Sequence, residues 1–343
     1  MLPTDIPLEL LAHFRLVDGL STVEEIQARI AEEGGVEAVM EKIDVAHYQD
    51  EIRKAIHAQA TEAGVEKREL LQNALDAIRK TGRSEGKVSV DYYLRNEGRE
   101  FVEKVTDTGI GIENLVAFLV PGITTKEATG EQGFFGTGFY KNLQDVDTIE
   151  VESVAHDGDQ MLAYKMVIEV TKDEEGSTQG GKIRQLQVRD ESPLVPTGTE
   201  IRLIKKAERC LPELEAMMAK NTSITMGGLT TVPAIAGIDL NLAFVDEEGR
   251  EQSTQIPVAD RSQYDIAGIG KMVFVKAPTL PSSLLSAGLR MASLYGNASD
   301  YLHAVPASLK RFFADEHISV VLPKELSLIK DRSRLANESE YLP

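Results

Sequence analysis

Apolar residues recur at helical spacing through roughly residue 80 of this chain, then at every second position as far as about residue 205. Thr22 is placed to cap a helix carrying Val23, Ile26 and Ile30 on one face, and Gly34 and Gly35 end it. Val88, Val90, Tyr92 and Leu94 then alternate with polar residues, Asn96, Glu97 and Gly98 supply a turn, and residues 101–106 make the return strand. This hairpin runs into Asp107. A second hairpin is expected from residues 148–154 and 161–170 around Asp157 and Gly158, with further strands at 182–188 and 200–203. The pattern predicts an α+β fold built on one largely antiparallel sheet.

Near residue 205 the texture changes. A helix is expected at 211–220, and Met226, Gly227 and Gly228 mark a connection into a second domain. That domain is expected to hold strands at 239–245, 272–275 and 318–322, with helices at 283–294 and 307–314. The divisions are then an N-terminal helical extension at 1–44, a main domain at 45–205, a linker helix and connection at 206–228, and a smaller α/β domain at 229–343. The closing residues supply neither a capped helix nor a closing strand, which suggests a fragment of something longer.

Composition narrows the function. With 343 residues, 42% hydrophobic and 27% charged, the chain can support two packed cores. Its 55 acidic against 37 basic residues give a formal net charge of -18, so nucleic acid is not the default partner. Cys210 is the single cysteine, which excludes an intrachain disulfide and fits a reducing compartment. No run approaches the ~18 apolar residues of a membrane span, and the N-terminus lacks the pattern of a signal peptide. A soluble, cytoplasmic protein is expected.

The candidate chemistry begins in the segment ELLQNALDA at residues 69–77. As a helix it places Glu69, Asn73, Asp76 and Lys80 on one face, opposite Leu70, Leu71, Ala74, Leu75 and Ile78. Any surface helix sorts its residues this way, so the face needs a partner motif. One is DTGIGI at 107–112, where a strand ends in a carboxylate and alternate glycines permit close approach of a flat ligand. Next come GITTK at 122–126 and GFFGTGFY at 133–140, in which Gly133, Gly136 and Gly138 precede a helix expected at 139–143 and offer bare amides to phosphates. The loop is neither a Walker loop nor a Rossmann fingerprint. The last piece is TGTEI at 197–201.

In this order the pieces resemble the GHKL ATPases, a superfamily that includes the ninety-kilodalton heat-shock chaperones, the gyrase B subunit, MutL mismatch-repair proteins and sensor histidine kinases. The wording ELLQNALDA, DTGIGI and GFFGTGFY is most similar to that of the heat-shock chaperones, and the resemblance covers roughly residues 45–205. It implies the Bergerat fold, a two-layer α/β sandwich with a mostly antiparallel sheet, followed by a smaller α/β transducer-like domain. It also implies ATP and Mg2+ as ligands, with hydrolysis driving a conformational cycle.

Carried over by residue, the resemblance makes Glu69 the general base and Asn73 the magnesium ligand, with Asp76 supporting the polar network of the helix. Asp107 would bind the adenine amino group, Gly109 and Gly111 would shape the adenine wall, and Thr199 would support the same base. Gly133, Gly136, Thr137 and Gly138 would wrap the phosphates, and Thr125 and Lys126 would belong to the lid. The short span from Asp107 to Gly133 implies a compact lid beside that of the chaperones. From the second domain, Lys330 or Arg332 would bring a cation to the terminal phosphate, against the plainer reading of a solvated charged loop.

The expected partners are ATP, a second copy of the chain in an ATP-dependent dimer, and a protein client. Three rivals are an ATP-gated scaffold with little hydrolysis, a histidine-kinase-type phosphotransfer protein, and a topoisomerase or repair ATPase. Glu69 favours hydrolysis over the scaffold. His57 lies upstream of Glu69 without the surrounding motif of a phospho-acceptor, and the acidic balance offers no DNA contacts of its own.

Overall fold

The computed structural model describes residues 6–20, 22–57, 65–83, 85–119, 143, 146–157, 160–209, 238–245, 251–256, 260–266, 270–276, 283–286, 289–293 and 318–322. The chain is α+β. Its first sheet has nine strands in the order β1-β6-β5-β4-β7-β3-β2-β8-β9. These are β1 (Ile6–Pro7), β2 (Gly86–Arg95), β3 (Glu100–Asp107), β4 (Thr148–Asp157), β5 (Gln160–Lys172), β6 (Thr178–Asp190), β7 (Gly198–Lys206), β8 (Ile238–Val245) and β9 (Glu251–Ile256). From β1 to β2 every pairing is antiparallel. Beyond them, β8 joins β2 in parallel and β9 turns back on β8.

Alternation along these strands sorts the two faces of the sheet. Val88, Val90, Phe101, Val105, Ile149, Val151, Met166, Ile168 and Leu203 are buried in one core. The residues between them on the central strands include Asp91, Lys104, Glu150, Glu152, Lys165 and Arg202, which form ion pairs on the opposite face. Helices cover the apolar face: α1 (Leu8–Leu16) and α4 (Val45–His57) pack on β6, and α5 (Val65–Lys80) packs on β2 and β3.

Local sequence explains several of these elements. Thr22 caps the start of α2 (Val23–Glu32) and Gly34 and Gly35 follow its end, as the sequence predicts; the cap is a reciprocal box with Glu25, and both glycines take positive φ. The short helix α3 (Val36–Met40) follows. On α5, Leu70, Leu71, Ala74, Leu75 and Ile78 are all buried. Full burial of one Leu or Ile is worth about 1.5–3 kcal/mol, against about 0–1 kcal/mol for an exposed ion pair. The apolar face therefore docks this helix, and its charges do not.

A second sheet runs β10-β11-β14-β12-β13, comprising β10 (Asp260–Ile266), β11 (Gly270–Lys276), β12 (Ser283–Ser286), β13 (Leu289–Ser293) and β14 (Ile318–Leu322). This corrects the helix expected at 283–294, where two antiparallel strands stand instead, with β12 parallel to β14. The short apolar runs on either side of Gly288 fit a helical or an extended period equally well, and cross-strand pairing decides between them. The expected helices at 211–220 and 307–314 lie outside the described residues. Among the described residues no helix is long and apolar enough to cross a membrane.

Candidate functional site

The site is organised where β3 ends. Pairing sets Asp107 opposite Thr199 of β7, and Thr199 opposite Ser153 of β4, so three polar residues form a row across adjacent strands. Asp107 and Ser153 lie on the buried face. The Asp107 carboxylate accepts hydrogen bonds from the backbone amides of Gly109, at 2.7 Å, and Thr199. Burial still dominates, and it raises the Asp107 pKa to about 7. Two donated bonds leave a carboxylate with acceptor sites for a further donor.

The loop after Asp107 is seated directly on α5. Ile110 donates its backbone amide to the Ala77 carbonyl at 3.2 Å. A Cβ on Gly109 would lie 2.5 Å from the Ala77 Cβ, so only glycine permits this approach. Gly111 has φ of +79°, and a Cβ there would meet the Val154 carbonyl oxygen at 2.1 Å. The two glycines of DTGIGI thus let the loop pass between helix and sheet. The contacts they relieve in the protein itself are with Ala77 and Val154.

On α5, Glu69 stands one turn before Asn73, which is half-buried. Asp76 is buried at 2% exposure and pairs with Arg79 at 2.9 Å. The face that periodicity marks as polar is therefore covered at Asp76, while Lys80 is exposed. Thr125, Lys126, Gly133, Gly136, Thr137, Gly138, Lys330 and Arg332 lie outside the described residues.

Ser153 is the residue that sequence reasoning missed. Its hydroxyl accepts from the Ile112 amide at 2.8 Å, donates to the Gly198 carbonyl at 3.1 Å, and lies 3.2 Å from the Thr199 hydroxyl. A signal was present: Ile149, Val151, Ser153 and Ala155 are the alternate, core-facing positions of β4, and Ser153 is the polar one.

No family model matches the chain, and no curated protein matches it. Among solved structures it is similar to the crystal structure of the N-terminal domain of a DNA repair protein, at 11% sequence identity and a TM-score of 0.47. The match covers 84% of this chain and 92% of that one. A likeness this distant assigns neither family nor activity.

Proposed function

We propose that this chain is a magnesium-dependent ATPase of the GHKL type, using the Bergerat arrangement of a helix facing a glycine loop across the nucleotide. The observation that carries the reading is the seating of the Asp107 loop on α5 through Gly109, Ile110 and Ala77. That contact unites the two motifs that are weak when taken separately. The buried carboxylate fits the amino group of adenine, because a donor reaching its remaining acceptor sites would offset the loss of water.

In this reading Asp107 and Thr199 hold the base, and Asn73 offers a carboxamide oxygen to magnesium. Held by Asn73, magnesium would supply positive charge to offset that of the phosphates. Glu69 orients the attacking water and accepts its proton as the water oxygen bonds the terminal phosphorus and the bond to the ADP oxygen breaks. Lys330 or Arg332 supplies positive charge near the terminal phosphate, Thr125 and Lys126 belong to the lid, and Gly133, Gly136, Thr137 and Gly138 donate backbone amides to the phosphates. A conformational cycle coupled to a second copy of the chain, with a protein client, follows from the same reading.

The test is a contrast between two variants of the full chain. Glu69→Ala should retain Mg-ATP binding by calorimetry while turnover falls roughly 100-fold or more, the scale of a lost general base. Asn73→Ala should weaken magnesium-dependent binding and turnover together. Wild-type turnover in Glu69→Ala with normal ATP binding would remove Glu69 as the base. An ATP-binding protein without measurable turnover would be a nucleotide-gated scaffold.

A further inference from the structure

We infer that Ser153 determines nucleobase specificity, by fixing the Thr199 hydroxyl as a hydrogen-bond acceptor toward the ligand. The inference rests on the ATP reading above and goes beyond it, since Ser153 belongs to none of the motifs that led there.

A serine hydroxyl has one hydrogen to donate and two lone pairs to accept with. Ile112 presents an N–H, which donates to Ser153. The carbonyl of Gly198 has no hydrogen, so its contact with Ser153 is a bond only if Ser153 donates. With that hydrogen so directed, the contact to Thr199 is a bond only if the Thr199 hydroxyl donates to the second lone pair of Ser153. One assignment satisfies all three contacts, and it leaves Thr199 with lone pairs only.

Thr199 is the cross-strand neighbour of Asp107. An ionised Asp107 also offers only acceptors, so the pair selects a group with two hydrogens to donate at one position. The amino group at position 6 of adenine meets that demand. A 6-oxo purine presents an acceptor to acceptors, and the mismatch leaves buried polar groups unpaired. An unanchored threonine hydroxyl would rotate to donate and would tolerate the oxo group; Ser153 removes that freedom.

The test measures affinity for ATP and for inosine triphosphate, which differ at position 6, using the full chain and calorimetry at pH 8. Wild type should prefer ATP. Ser153→Ala frees the Thr199 hydroxyl and should shrink the preference by about tenfold, the scale of one mismatched hydrogen bond. Ser153→Thr keeps a hydroxyl and should retain the preference. Thr199→Val removes the acceptor itself and should also shrink it, which decides the matter if the alanine variant fails to fold. A merely structural role for Ser153 would weaken both nucleotides equally and leave their ratio unchanged, and that result overturns the inference. A wild type that binds ATP without preferring it also overturns the inference while sparing the ATPase reading. A folded wild type that binds neither nucleotide overturns both.

Discussion

On the outer face of the sheet, Glu152 lies between Lys165 and Arg202, each within 3.3 Å; on the helix-covered face, Asp107 is met by the amides of Gly109 and Thr199. Burial raises the pKa of both carboxyls, but the cationic partners of Glu152 outweigh it and hold that group below its ordinary value. At Asp107 two amide bonds do not outweigh burial, and its carboxyl rises to about 7. Two carboxylates on strands of one sheet thus load the fold in opposite senses. Glu152 stabilises it when ionised, and Asp107 opposes it. A fold that keeps a destabilising acid at the mouth of a glycine loop gives a reason to look for a ligand there.

Asp107→Asn takes the charge off the helix-covered face. The neutral amide avoids burying a charge, so stability at pH 8 should hold or rise by about 1–3 kcal/mol, measured by urea unfolding. ATP affinity should fall roughly 100-fold or more, because the amide can turn a donor toward the adenine amino group. Unchanged affinity in the folded variant would remove Asp107 from any adenine site.

Gly111→Ala tests the scaffold around that acid. A side chain there must adopt a left-handed φ and meet the Val154 carbonyl, so the loop should shift at a loss of about 2–4 kcal/mol in urea unfolding. Gly176 has φ of +84° with nothing within 4 Å of its missing Cβ. Gly176→Ala should therefore lose only about 1 kcal/mol, separating the backbone contribution from the collision. Equal losses would mean that the close approach at Gly111 carries no weight.

A smaller effect is expected from pH. The unfolded Asp107 carboxyl titrates at its ordinary value and the folded one near 7, so the folded state holds an extra proton between them. Stability should fall as pH rises through this window, by a few kcal/mol at most, and Asp107→Asn should flatten the slope. Ligand affinity should run the other way, because the ionised carboxylate accepts the amino hydrogen. Adenosine is the useful probe, since a phosphate titrates in the same range. Its affinity at pH 6 should be roughly tenfold below that at pH 8 in wild type, and a flat profile would contradict the raised Asp107 value.

The sequence made the carboxylate readable and left its surroundings hidden. Alternation on β2 and β3, with turn residues at 96–98, located Asp107 at a strand end, and helical periodicity separated the two faces of α5. These are local patterns. The register that sets Ser153, Thr199 and Asp107 in one row joins strands far apart in sequence, and no local period encodes it. The same holds for β1, whose two residues pair with Ile183 and Lys182, and for β8, which meets β2 across the intervening chain. Burial of Asp76 was hidden for a related reason: periodicity assigns a face, and packing of other elements decides whether that face is covered.

Glu152→Gln makes the same change of acid to amide on the outer face, and there it should lower stability, by about 0.5 kcal/mol at pH 7. The sign follows from linkage: a carboxyl whose folded pKa is lowered stabilises the protein above its unfolded value and loses that contribution as pH falls through the folded one. The size is limited by solvent, because the Glu152 side chain is 42% exposed and Lys165 is 52% exposed. Arg202 also contacts Glu150 and Glu200, so its guanidinium keeps carboxylate partners after the substitution. Urea unfolding of wild type and variant should therefore converge in acid, below the ordinary carboxylate range, and also in about 1 M salt, where the Debye length shrinks to roughly 3 Å. A loss that persists in acid would assign the effect to packing, and a gain in stability at pH 7 would place Glu152 in the same class as Asp107, ending the distinction between the two faces.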